Sequence, residues 1–184
     1  MRRLLVAGSA ALLVCSLMGP AAAGTFETAA TLRPGHFSFG LQPALTLGSS
    51  RFTCDLEGAA GLTPGLDLTL RLGLWPDTAL GARVKFGLVR DAGAVPGVSL
   101  LAGVHGPGPV GFDLGLLLSK RLHTFSLFTG LQVGIEPAPT AAAAYVPIGV
   151  AIPLNRACDF FLEGDINVTP TGLSALAGGL KVYL

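Results

Sequence analysis

Charge is scarce in this sequence. Only 12% of its 184 residues are Asp, Glu, Lys or Arg, where a soluble domain carries about 25%. So few charges cannot coat a globule, and part of the apolar surface must face something other than water. Eleven acids against twelve Lys and Arg leave a formal net charge of +1. That balance gives no support to a nucleic-acid partner. Long apolar runs are also missing beyond the N-terminus. The longest, 141–154, is interrupted by Pro147 and Pro153, whereas a membrane-spanning helix needs about 20 largely apolar residues. With 26 glycines and 13 prolines, a helical reading fails more generally. Histidine and cysteine are limited to three each. They show no spacing suited to a metal site, and no phosphate loop or dinucleotide fingerprint appears. No cofactor, metal or catalytic constellation is expected.

The first 23 residues read as a secretory signal peptide. Arg2 and Arg3 precede an apolar run from Leu4 to Met18, and Ala21-Ala22-Ala23 offers a small-residue cleavage pattern. Cleavage is expected after Ala23, leaving 24–184 as one domain. Cys15 raises the question of lipidation, but Val14 stands where a small residue is expected. Cys54 and Cys158 then remain in the exported chain.

What fills the rest of the chain is alternation at period two, the mark of strands with two different faces. Ten segments show it: 36–47, 51–61, 66–75, 79–89, 97–105, 110–119, 124–136, 143–154, 158–168 and 174–184. The third is the clearest, with Leu66, Leu68, Leu70, Leu72 and Leu74 alternating with Asp67, Thr69, Arg71 and Gly73. Turn residues separate the segments, among them Thr63-Pro64-Gly65, Pro76-Asp77, Gly106-Pro107-Gly108-Pro109, Asn155-Arg156 and Pro170-Thr171-Gly172. Segments of this length match a tilted membrane span of about 9–11 residues. The fold expected is all-β, a closed antiparallel up-and-down transmembrane β-barrel of ten strands, with eight as the alternative.

The polar parity decides which face is inside. It carries Asp55, Glu57, Asp67, Arg71, Arg83, Lys85, Asp113, Glu163, Asp165 and Lys181, and much of the rest is Gly or Ala. This makes a thin solvent coat but a sensible lumen, where small residues suit the concave side. The apolar parity is a nearly continuous band of Leu, Val, Ile and Phe without any of these charges. A lipid-facing Arg or Lys at the bilayer midplane costs about 2–4 kcal/mol, which accounts for the segregation. Phe39, Leu70, Val84 and Leu180 are expected outside, with Arg71 and Arg83 inside. Leu101, Leu117, Phe128 and Phe161 break the pattern by pointing inward, and Thr129 and Pro43 by pointing outward.

On this pattern the chain resembles the small Gram-negative outer-membrane β-barrel proteins, the broad group that includes OmpA-type membrane domains. The resemblance covers residues 34–184 and rests on pattern, without a specific motif. It implies an outer-membrane location, with membrane lipids and the barrel-assembly machinery as partners. It sets no oligomeric state. One departure is the chain end, Lys181-Val182-Tyr183-Leu184, where such proteins often place a terminal aromatic residue.

Site-like chemistry is confined to the lumen charges. Hairpin pairing predicts a Glu57–Arg71–Arg83 row with Asp55 and Lys85 close by, either an ion-pair network that rigidifies a narrow barrel or a constriction that selects small solutes. His36-x-Ser38 resembles the pair used by an outer-membrane lipid A deacylase family, but it falls at the periplasmic end, away from the outer leaflet such an enzyme needs. The loops are too short to favour an adhesin, the longest outer one lying near 136–142. The functional expectation is a structural barrel or a narrow, porin-like passive channel, not an enzyme.

Overall fold

Ten strands close into a barrel in the computed structural model, which describes residues 26–47, 50–75, 78–106, 110–137, 140–169 and 174–184. The expected leader, with Cys15 and its cleavage point, lies outside the described residues. So do Pro76, Asp77, residues 107–109 and residues 170–173 of the expected turns.

The strands are β1 (Phe37–Thr46), β2 (Arg51–Thr63), β3 (Leu66–Trp75), β4 (Leu80–Val89), β5 (Gly97–Gly106), β6 (Gly111–Arg121), β7 (Ser126–Pro137), β8 (Thr140–Asn155), β9 (Cys158–Asn167) and β10 (Ala175–Tyr183). Each pairs antiparallel with its sequence neighbour, and β1 pairs with β10 to close the ring. Closure leaves no free sheet edge. Among the described residues there is no helix. The start of β1 and the end of β10 share one end of the barrel, called here the terminal end; the opposite end is the distal end.

Faces follow the parity of the sequence. Phe39, Leu70 and Leu180 are exposed on the exterior and Val84 is half-exposed. The apolar exceptions also behave as expected. Leu101, Leu117, Phe128 and Phe161 are buried in the interior, and Thr129 is exposed. Two expectations need correction. Glu57 does lie opposite Arg71, but on the next hairpin Arg71 faces Gly81 and Arg83 faces Thr69. The row therefore breaks between Arg71 and Arg83, because the β3–β4 pairing is displaced by two residues from the one the alternation suggested. The outer loop placed at 136–142 is largely strand, since β7 runs to Pro137 and β8 starts at Thr140.

Cys54 stands near the distal start of β2 and Cys158 at the terminal start of β9, and both are free thiols. A disulfide requires Cα atoms within about 7 Å, which opposite ends of a barrel cannot provide. The processed protein, denatured without reductant, is expected to gain the mass of two thiol alkylations. Uptake of none would contradict these strand directions.

Candidate functional site

The interior is occupied by the protein's own chain. Residues 26–33 run inside the barrel from its middle to the terminal rim. A turn at Arg33-Pro34-Gly35-His36 then delivers them to β1. Proline sets the second position of this turn, Gly35 supplies φ +77° at the third, and the His36 N–H donates to the Arg33 carbonyl at 3.0 Å. The strand wall makes room by omitting side chains. A Cβ on Gly61 would lie 2.2 Å from the Arg33 carbonyl oxygen, and one on Gly179 would lie 2.8 Å from the Phe26 ring.

Backbone groups of the inserted segment are satisfied by lumen side chains. The Phe26 N–H donates to Glu163 Oε2 at 2.8 Å, and its carbonyl accepts from Lys181 Nζ at 3.3 Å. The Ala29 N–H donates to Ser119 Oγ at 3.0 Å, while Ser99 Oγ donates to the Ala29 carbonyl at 2.5 Å. The Leu32 N–H is shared by both oxygens of Asp67 at 3.0 and 3.1 Å. Apolar contacts complete the seat. Phe26 packs on Phe161 with ring centroids 5.9 Å apart, and Ala29 joins Leu101 and Leu117.

Glu27 is the centre of the charge network and is 2% exposed. Its carboxylate pairs with Arg83 at 3.3 Å and Lys85 at 3.6 Å, and it accepts from the Thr69 hydroxyl at 3.1 Å. Arg83 also reaches Glu57 at 3.5 Å, Lys181 reaches Glu57 at 2.7 Å, and Lys85 reaches Asp67 at 3.2 Å. Three acids (Glu27, Glu57, Asp67) thus meet three bases (Arg83, Lys85, Lys181), and the balance holds only with Glu27 in place. Towards the distal end Arg71 pairs with Asp55, and His105 Nδ1 lies 2.9 Å from Asp113 Oδ2. The lumen charges expected from sequence are all interior, but they form separate groups rather than one row. Glu163 and Asp165 sit side by side on β9, both buried.

The sequence reading missed Glu27, Phe26, Ser99 and Ser119. Residues 24–35 carry no alternation and so gave no signal of their own. A signal did exist elsewhere: the inward face near the terminal end holds Arg83, Lys85 and Lys181 against Glu57 and Asp67, one base in excess.

Burial alone would raise the Glu27 carboxyl, but Lys85, Arg83 and Lys181, with the Thr69 hydroxyl, outweigh it and hold the group below its ordinary value of 4.5. A depressed pKa in the inserted state means that insertion is fully supported above that value and weakens as pH falls below it. Amide protection at Phe26, Ala29 and Leu32 should therefore be constant from pH 7 to about pH 5 and decline in stronger acid. Hydrogen exchange, corrected for intrinsic rates, reads this directly. Release on raising the pH through neutrality would contradict the role given to Glu27.

Between the segment and the wall, the void lined by Glu27, Lys85 and Phe161 measures about 30 Å³, room for one or two waters. Below the segment, at the terminal end, a cavity of about 1330 Å³ opens to solvent, with Arg33, Arg90, Lys120 and Arg156 among its lining residues. His36 is exposed at this end, whereas Ser38 is buried in the wall.

No family model matches the chain, and no curated protein matches it in sequence. Solved structures do. The KdgM porin is 9% identical with a TM-score of 0.50, covering 79% of this chain and 98% of that chain. The N-terminal β-barrel domain of Pseudomonas aeruginosa OprF is 9% identical with a TM-score of 0.44, covering 83% and 100%. A de novo designed transmembrane β-barrel is 10% identical with a TM-score of 0.43, covering 84% and 100%. At these identities the likeness is one of architecture, and the chain has the fold of the outer-membrane β-barrels.

Proposed function

We propose that this protein is an exported, integral outer-membrane barrel that acts as a narrow passive channel held shut by its own N-terminal segment. The observation that carries this reading is the occupied lumen. Ten strands enclose little more than a side-chain-filled interior, since about eight are just filled and 16–18 leave an open channel. Here the interior is kept thin by glycine and filled by residues 26–33. The apolar exterior and the expected leader support the location. Membrane lipids and the barrel-assembly machinery are the partners that follow from it. No catalytic role is part of this reading.

With the segment withdrawn, the wall presents six acids (Asp55, Glu57, Asp67, Asp113, Glu163, Asp165) and four bases (Arg71, Arg83, Lys85, Lys181). An acidic excess favours cations wherever a path exists. In planar bilayers the wild-type protein is expected to show small or absent conductance. A variant lacking residues 24–32 should give resolved single-channel steps with weak cation preference. Large anion-selective currents from the wild type, or an equally silent deletion variant that is folded, would overturn the channel reading.

A further inference from the structure

Positive charge collects at the terminal mouth. Beyond Arg2 and Arg3 the sequence has ten Lys and Arg. Five of them, Arg33, Arg90, Lys120, Arg121 and Arg156, line the cavity of about 1330 Å³ that opens at this end. Among the described lining residues the acids are Asp91 and Asp159, and both are engaged. Asp91 pairs with Lys120 and accepts from the Arg121 N–H. Asp159 accepts from the Tyr183 hydroxyl at 2.9 Å. Among the described residues no ion pair uses the guanidinium of Arg33, Arg90, Arg121 or Arg156. The distal end has the opposite balance, with Asp55, Asp113 and Glu136 against Arg51 and Arg71. A hollow lined by one sign of charge focuses the field and concentrates counter-ions of the other sign.

The four arginines come from four different turns, and each turn is held by its own hydrogen bonds. Arg33 opens the turn into β1, where its carbonyl accepts from the His36 N–H at 3.0 Å. Arg90 follows β4, and Lys120 clamps the β4–β5 turn by donating to the Gly93 and Val95 carbonyls at 2.6 and 3.2 Å. Arg121 ends β6, on the inward parity of Leu117 and Ser119, and the Leu122 N–H donates to the Phe125 carbonyl at 2.8 Å to close the next turn. Arg156 sits in the β8–β9 turn, where the Ala157 N–H donates to Asn155 Oδ1 at 2.8 Å. Lys120 is thus spent on the scaffold, and four guanidinium groups are held around one hollow. Thr28, Ala30, Ser119 and Ser126 form part of its wall, all short side chains without an acid among them.

We propose that this vestibule is a binding site for a soluble oligoanion, a short chain bearing several phosphate or carboxylate groups. A guanidinium presents a planar fork of N–H donors that matches the paired oxygens of either group. A single phosphate is far smaller than the hollow and cannot reach arginines on opposite turns. A chain of linked anionic groups can, and each further contact is made at high effective concentration. The placement of the arginines favours a solute over lipid headgroups, because they line the hollow rather than the apolar exterior band. Arg33 ends the inserted segment while the other three belong to the wall, so a bound chain also bridges segment and wall. The site does not depend on whether the barrel conducts.

The test is calorimetric titration of the folded protein with inorganic tripolyphosphate, in micelles of a neutral detergent at fixed ionic strength. One saturable site is expected, with monophosphate binding at least about tenfold more weakly. The double variant Arg121→Gln/Arg156→Gln should lose at least about tenfold in affinity, and each single variant about threefold or more. Both residues are exposed at the rim, so the barrel should stay folded. Lysine at both positions keeps the charge without the fork and should restore only part of the loss. Arg51→Gln removes one charge from the far end of the barrel and should change affinity by less than about twofold, because salt screens over that distance. Absence of saturable binding would overturn the proposal. So would an equal loss in Arg51→Gln and Arg121→Gln, which would leave only a diffuse field. Anionic phospholipid retained through purification by the wild type but not by the double variant, without tripolyphosphate binding, would overturn it in favour of lipid headgroups.

Discussion

Replacing Glu27 by glutamine is expected to release the inserted segment from the lumen. Breaking a buried ion pair by removing one partner costs about 3–5 kcal/mol, because the other charge is left uncompensated. Here the groups left behind are Arg83, largely buried, and Lys85, buried with Lys181. Glutamine keeps the shape and can still accept from Thr69, so the loss is one of charge. The backbone bonds to Glu163, Ser99, Ser119 and Asp67 remain, but a typical one contributes only about 0.5–1.5 kcal/mol, with those to charged groups somewhat stronger. They offset part of the penalty. At 1.4 kcal/mol per decade, amide exchange at Phe26, Ala29 and Leu32 should accelerate by about 10²- to 10³-fold. The barrel should stay closed, because its strand ladder does not involve residue 27. Exchange accelerated by less than tenfold would show that packing of Phe26 and Ala29, not the ion network, holds the segment.

The second large effect concerns the exterior. Leu70 lies mid-strand on β3 and is 58% exposed; Leu74, near the end of the same strand, is 48% exposed. In water, arginine at either position would cost little. In a bilayer the cost depends on depth, about 2–4 kcal/mol at the midplane and about 0–1 near the interface. Leu70→Arg should therefore destabilise the barrel strongly in lipid vesicles and Leu74→Arg weakly, as read by denaturant unfolding. Phe52 and Trp75, whose ring centroids are 6.2 Å apart near the distal rim, are placed to mark the interface there. Equal, small costs at both positions would sink the membrane assignment.

Most of the wall was legible in the sequence. The ten alternating segments match the observed strands to within about three residues at each end, with β3 identical at 66–75. Alternation is a local signal, and one apolar face per strand is enough to read it. The face assignment was also legible, because charge on only one parity leaves a single cheap way to turn the strand. The polar constellation was less so. Glu57 opposite Arg71 followed from a tight hairpin at Pro64-Gly65. The β3–β4 connection passes through residues 76–79, and there the register could not be counted from turn residues alone. An offset of two residues keeps every side chain on its face, so the alternation is blind to it, yet it moved Arg83 from Arg71 to Thr69.

By itself, then, the sequence determined the face each side chain takes and the acidic excess of the inward wall, quantities that depend on neighbours two residues apart, and it pointed to ten strands with eight left open until the barrel closed. The tertiary structure alone decided which charges meet and what fills the lumen. Phe26 reaches Glu163 across 137 residues and Ala29 reaches Ser119 across 90. Such contacts exist only once β1 has closed against β10, because the ring brings distant strands to one axis. The inserted segment has no periodicity of its own to announce it. Its place is set by the cavity that closure creates, by the missing side chains at Gly61 and Gly179, and by a cluster of three bases that lacks its third acid until Glu27 arrives.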